Sequence, residues 1–135
     1  MTRRYGYWIC TCLLALWLTP SGVLDLMRVP SVVQILSHLG YPAYLGPVLG
    51  VAKLLAMGAI FYPRTRILRE WAYAGITIDL VGAFISHCVV HDTIGARITP
   101  LAVLALATGS YTLRPERFRL RPFADPAPAG SLSAR

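Results

Sequence analysis

Charge is what this sequence has least of. Only 14% of its 135 residues are charged, against about 25% in an ordinary soluble domain. Acidic residues number six, and Lys53 is the single lysine. So few charges cannot cover the surface of a water-soluble domain of this length. Cysteine is also scarce, at three residues. Cys10 and Cys12 are two apart, so on a helix they point to different sides and cannot bridge each other. Cys88 stands far along the chain, at the other end of its apolar run. Buried free thiols are expected, and no disulfide or metal ligand set is read from them. There is no Walker loop, no G-x-G-x-x-G after a strand, no C-x-x-C, no H-E-x-x-H and no serine in a nucleophile elbow. These absences remove the usual grounds for proposing nucleotide, zinc or acyl-transfer chemistry, and no catalytic residue is assigned.

Hydrophobic residues, by contrast, make up 56% of the chain. They fall into four blocks of membrane-spanning length, about 5–27, 44–61, 71–90 and 98–113. Short alternating runs that would read as strands are missing. The expected fold is all-α, an integral membrane four-helix bundle over residues 1–113. The competing reading is a soluble helical domain, which would leave too little polar surface. The first block resembles a signal peptide at its start, with Arg3 and Arg4 before an apolar core. No small-x-small cleavage site follows, so it is read as a retained span, loosened at Pro20-Ser21-Gly22. Between the first two blocks, Val32, Val33, Leu36 and Leu39 have helical spacing. They predict a short amphipathic helix along the interface, ended by Gly40. From Arg114 the chain turns abruptly basic, and it then becomes small, polar and proline-rich; roughly the last fifteen residues of 114–135 are expected to form a disordered cytoplasmic tail.

The formal charge of +7 does not indicate a nucleic-acid partner, because the arginines sit between the blocks and at the ends. Arg3, Arg4, Arg64, Arg66, Arg69, Arg114, Arg117, Arg119, Arg121 and Arg135 fall on one side of an even number of spans. Only Arg28 and Arg97 fall on the other. That asymmetry predicts both termini in the cytoplasm of a multi-pass protein of the bacterial inner membrane.

Two charges stand inside the apolar blocks. Lys53 lies eight residues before Phe61, and Asp79 lies eight residues after Trp71. Antiparallel helices would set both at one depth, roughly 12 Å from the connector at about 1.5 Å per residue. A charge at mid-bilayer costs about 2.5–3.5 kcal/mol unless paired or hydrated. Lys53 and Asp79 are therefore the candidate ion pair, either clamping the helices or contacting a ligand. Gly46, Gly50, Lys53 and Met57 share one helix face. Gly75, Asp79, Gly82 and Ser86 share another. Each charge is thus expected on a small-residue stripe where a neighbouring helix packs.

Asp25, His38, His87, His91 and Asp92 are expected near the non-cytoplasmic interface. His87 and His91 have a spacing that can hold a metal on a helix. The sequence favours instead a hydrogen bond from His87 to Asp25 or to a backbone carbonyl. Glu70 is expected to make an interfacial salt bridge with Arg66 or Arg69. His87, Glu70 and Asp25 are the secondary candidates.

The segment HLGYPAYLGPVLGVAKLLAMGAIFYP, followed by REWAYAGITIDLVGAFISH, resembles the bacterial DoxX-like family of small four-span membrane proteins. The shared features are the G-Y-P, the A-K-L-L, the E-W-A-Y-A-G and the D-L-x-G-A-x-x-S-H. They correspond to Gly40, Tyr41, Pro42, Lys53, Glu70, Trp71, Asp79, Gly82, Ser86 and His87, within about residues 8–113. Arg69 stands where family members often carry lysine. The resemblance implies a four-helix membrane protein. It also implies more than one role, since the family takes its name from a relative of a membrane subunit of thiosulfate:quinone oxidoreductase, and a distant animal relative is similar to a receptor-assembly chaperone.

Two functions follow as expectations. One is a non-enzymatic accessory or assembly subunit, held together by the charge pair and packed against a membrane partner or a second copy. The other is a membrane subunit of a quinone-linked oxidoreductase, in which Lys53 and Asp79 contact a quinone and the chain supplies no cofactor motif of its own. A small-solute transporter would need repeated halves, and only the second hairpin carries paired charges.

Overall fold

The computed structural model describes residues 2–62 and 66–118. The expected disordered tail lies, from residue 119 on, outside the described residues, as does the middle of the 62–70 connector. Within them, all regular structure is helical. The elements are α1 (Thr2–Leu26), α2 (Pro30–His38), α3 (Leu45–Phe61), α4 (Arg66–Val89), α5 (Ile94–Leu113) and a 3-10 turn at Glu116–Phe118.

The helix limits follow from the local chemistry, with some corrections to the sequence reading. α1 runs through Pro20 without a break, so the expected loosened turn there is absent. α2 is the expected short connector helix, with Pro30 at its start and Leu36 as its buried residue. It closes with the Gly40 amide on the Ser37 carbonyl and the Tyr41 amide on the Leu36 carbonyl. This paired closure needs a left-handed residue, and Gly40 has φ of 81°. α4 begins at Arg66, five residues before the block expected from 71, and α5 begins at Ile94 rather than 98. Thr93 caps α5 by accepting from the Ala96 amide.

α1 packs against α3 and α5, and α4 packs against the same two helices. Neighbours run antiparallel. Thr11 of α1 meets Ser110 of α5, Gly22 of α1 meets Gly50 of α3, and Arg69 of α4 reaches the end of α3. The α1–α3 crossing is the tightest place in the fold. A Cβ on Gly50 would stand 2.6 Å from the Gly22 carbonyl oxygen and 2.7 Å from the Leu26 nitrogen. The glycines of α3 thus admit a backbone, as small-residue stripes do in membranes. The stripe of α4 behaves otherwise. A Cβ on Gly75 or Gly82 would meet nothing within 4 Å, and the same holds at Gly58 of α3.

The core holds Leu14 and Leu18 of α1, Met57 and Ile60 of α3, Tyr73, Ile76 and Leu80 of α4, and Val103 of α5. Arg69 joins it at 1% exposure. On α4 the buried positions 69, 72, 73, 76 and 80 form one helical face, so the arginine occupies a core position. Its Nε donates to the Ile60 carbonyl and its Nη2 to the Tyr62 carbonyl, at 3.1 and 2.9 Å. It thereby caps the end of α3. The guanidinium also stacks 4.2 Å from the ring centre of Phe118.

The outer faces are apolar. Leu16, Leu55, Ile78 and Trp71 are all exposed. Among the described residues two helices, α1 and α4, are long and apolar enough to cross a membrane, and only 28% of each apolar window is buried. The core helix of a soluble protein would be mostly enclosed. α3 is apolar but shorter, at 17 residues. The cysteines are unpaired. Cys12 is exposed and Cys10 and Cys88 are partly so, which corrects the expectation that all three are buried.

Candidate functional site

Lys53 comes to the centre of the molecule because α3 is pressed onto α1 by the glycine crossing one turn before it. Its ammonium Nζ lies 2.7 Å from Oδ2 of Asp25, 3.3 Å from the Ser21 hydroxyl and 3.7 Å from Oδ2 of Asp79. All three charged side chains are largely enclosed. The cluster therefore joins α1, α3 and α4 rather than α3 and α4 alone. Asp25, expected in the outer histidine group, belongs instead to Lys53. One cation thus faces two carboxyl groups. When all three groups are ionised the cluster carries one uncompensated negative charge in an apolar setting, which is costly unless a proton, a ligand or water answers it.

Two cavities meet at Lys53 and Asp79. The first is a groove of about 770 Å³ between α3 and α4. Its wall is almost wholly apolar, from Leu55 and Ala59 across to Ile76, with Tyr62 and Trp71 at one end. Gly58 and Gly75 leave it open because neither has a side chain to fill it. The second, of about 510 Å³, lies on the other side of the cluster. Asp25, Ser21, Tyr41 and His87 line it with Lys53 and Asp79.

Beyond this second cavity α4 ends in a turn of the same type as that at Gly40. The His91 amide bonds the Cys88 carbonyl, and the Asp92 amide bonds the His87 carbonyl. His91 takes the left-handed position at φ of 57°, so it has left the helix and does not share a face with His87. The turn folds Asp92 back onto His87. The two Asp92 carboxylate oxygens then meet His87 Nδ1 at 2.7 Å and His38 Nε2 at 2.9 Å. These hydrogen bonds, that of His87 foremost, hold Asp92 below the usual carboxylate range. The partner of His87 is thus Asp92, in place of the expected Asp25 or backbone carbonyl. Among the described residues no group of three or more His, Cys, Asp and Glu side chains stands in a metal-binding arrangement.

Glu70 lies at the opposite end, also with unexpected partners. It pairs with Arg114, and its Oε2 accepts from the Tyr111 hydroxyl at 3.0 Å. Arg114 stacks 4.1 Å above the Tyr111 ring. Arg66 and Arg69, the expected partners, are not involved. Next to this pair, Ser110 bridges the hydroxyls of Thr11 and Tyr73 at 2.7 and 2.6 Å. Glu70 therefore ties α4 to α5, whereas at the Lys53 cluster charge, enclosure and free volume coincide.

The signal that would have found Asp25 is present in the chain. Ser21, Gly22 and Asp25 share a face of α1, and Gly22 is the small residue that an antiparallel Gly50 requires.

No curated protein and no solved structure matches the chain. The profile of the DoxX-like family matches residues 9–110, a stretch that includes the whole Lys53 cluster, both cavities and the His87–Asp92 turn. Together with the apolar helices and their exposed faces, the match marks a membrane protein, and the chain belongs to the DoxX-like family.

Proposed function

We propose that the protein is a multi-pass subunit of the bacterial inner membrane that binds a quinone-type ligand in the groove between α3 and α4. In this reading α1, α3, α4 and α5 form a four-helix bundle that crosses the bilayer, with both termini cytoplasmic. The arginine asymmetry of the sequence supports that orientation. The observation that carries the ligand is the coincidence of an open apolar groove with an enclosed ammonium. A groove of about 770 Å³ is within the range of small-molecule sites, about 300–1,000 Å³. Its apolar walls suit a lipid-soluble body that enters from the bilayer. At its inner end stand the Lys53 ammonium, a hydrogen-bond donor, and the Asp79 carboxyl group, an acceptor when ionised. A quinone head group presents carbonyl oxygens that an ammonium can hold. The bound quinone would supply the capacity to take up electrons and protons. The chain's own residues would hold the carbonyl and set the head group at the depth of Lys53, so that the protein serves a partner redox subunit.

A second reading keeps the accessory role without a ligand. The 2.7 Å contact of Lys53 with Asp25 favours it, since that contact ties α1 to α3 with no ligand present. Two variants separate the readings. A Cβ on Gly75 meets nothing within 4 Å, so Gly75→Leu extends a side chain into the groove from an uncrowded position. Binding of a short-chain ubiquinone to the purified full chain in detergent is expected for the wild type. It should weaken at least about tenfold, 1.4 kcal/mol, in both Gly75→Leu and Lys53→Met. Equal binding, or none, in all three proteins would leave the clamp as the function of the cluster.

A further inference from the structure

The second cavity has no part in holding a ligand in the groove, yet it reaches from the Lys53 cluster to His87, which Asp92 links to the exposed His38. We propose that His38, Asp92 and His87 form a proton relay between the outer surface and the Lys53–Asp25–Asp79 cluster. The proposal deepens the quinone reading and rests on its orientation in the membrane, because reduction of a quinone consumes protons at the head group.

Each link has its own observation. His38 is 57% exposed and so meets bulk water. Its Nε2 is 2.9 Å from Asp92, and Asp92 is 2.7 Å from His87 Nδ1. These are hydrogen-bond distances along which a proton transfers. With Nδ1 engaged by the carboxylate, Nε2 is the ring nitrogen left to serve the cavity. His87 and Asp79 both line that cavity. They are eight residues apart on α4, about 12 Å at 1.5 Å rise. At about 30 Å³ per water, a cavity of about 510 Å³ has room for the few waters that would bridge it.

The transfer balances. His87 accepts at Nδ1 the proton that Asp92 has taken from His38, and it releases the proton carried on Nε2; the ring is left as the other tautomer, and a ring flip or proton return resets it before the next passage. The released proton forms an O–H bond on Asp79. At 3.7 Å this is the carboxylate that Lys53 compensates less. The cluster passes from a net charge of minus one to neutral, and the charge left without a counter-ion is removed. The groups that face the cavity are Asp25 from α1, Lys53 from α3, Asp79 and His87 from α4, and Tyr41. α5 contributes Thr99 and Pro100, neither of which titrates. His38 and Asp92 adjoin it through His87.

The test needs no quinone. The full chain in lipid nanodiscs is given a rapid pH drop, and protonation of the buried carboxyl is followed by time-resolved infrared absorption. Asp79→Asn identifies the band. In the wild type the band should rise with the drop. In His87→Phe and Asp92→Asn it should reach the same end point about tenfold or more slowly, the scale of losing one placed proton-transfer group. Asp92→Asn keeps the shape of a surface turn, so it carries the test if His87→Phe does not fold. Unchanged rates in the folded variants overturn the relay, as does a wild-type band that never titrates. Quinone binding is measured separately on the same preparations. A protein that binds no quinone but shows slowed variants keeps the relay and loses the ligand. One that binds quinone with unchanged rates does the reverse.

Discussion

Both seams of α4 carry polar groups, at different depths, and use them differently. Toward α5, Tyr73 meets Ser110, Ser110 meets Thr11, and Glu70 meets both Arg114 and Tyr111. Every one of these side chains ends on another. Toward α3, Asp79 stands 3.7 Å from Lys53 with free volume on both sides. Gly58 and Gly75 keep one of those volumes open. In an apolar setting a closed polar network fixes helices against each other, since breaking any link leaves an unsatisfied partner. A charged group beside a void retains the capacity to answer something that enters. The first seam is therefore the frame of the molecule, and the second is where a ligand would act.

The comparison breaks most readily at Arg69. Its carbonyl bonds and its stacking on Phe118 close the end of α3. Arg69→Met should cost about 3–5 kcal/mol, as expected for removing an enclosed charged donor from its partners. Thermal unfolding in detergent measures the loss, and quinone bound per folded molecule should stay unchanged. A variant as stable as the wild type would show that the frame does not depend on this cap. Lys53→Met comes next. It leaves Asp25 and Asp79 without a cation, at a cost of about 2–3 kcal/mol reduced from the fully buried case by the adjoining cavities. Here stability and ligand affinity should fall together, which distinguishes it from Arg69→Met.

Ser110→Ala probes the closed seam alone. Ser110 is 0% exposed and serves two hydroxyls. Its removal leaves Tyr73 without its partner, while Thr11 retains the Tyr7 carbonyl. A loss of about 1–2 kcal/mol is expected from one unsatisfied buried group, with affinity unchanged. Gly75→Leu is the mirror image. It should raise helix stability by up to about 1 kcal/mol, since leucine is the better helix former, while it abolishes binding in the groove. If Gly75→Leu destabilises as much as Ser110→Ala, the open seam is packed in the membrane by something other than a small ligand.

Much of this contrast was legible in the sequence, and the failures have physical causes. The equal depth of Lys53 and Asp79 follows from residue counts along two helices, and the two side chains do meet. In the sequence Asp25 falls with the outer histidines, because Pro20-Ser21-Gly22 reads as a kink or loosened turn beyond which helical register is hard to count. α1 continues through it, since a helix held by neighbours tolerates one missing amide donor. Arg69 and Glu70 were treated as one interfacial charge group. Adjacent helical residues point about 100° apart, and here one enters the core while the other turns to α5. The start of α4 at Arg66 decides that, and a stretch rich in arginine gave no hydropathy signal for it. The open face at Gly75 and Gly82 was hidden for another reason. A glycine stripe reports that a backbone can approach, and Gly50 shows one that does, but the stripe does not say whether anything fills the space.

The smallest expected effect concerns the outer turn and is read by pH. Asp92 is held below the usual carboxylate range by His87 and then His38. Its contribution to stability is therefore present above the ordinary carboxylate range and is lost as pH falls through its lowered value in the folded protein. Unfolding of the wild type in detergent should grow easier over that acid range, and Asp92→Asn should remove that part of the pH dependence. The same substitution should leave the closed seam untouched, since Tyr73, Ser110 and Glu70 lie at the other end of α4. If the pH profile is unchanged in Asp92→Asn, the turn does not hold its histidines in solution. The second cavity would then end at His87 without the anchored ring that a proton route requires.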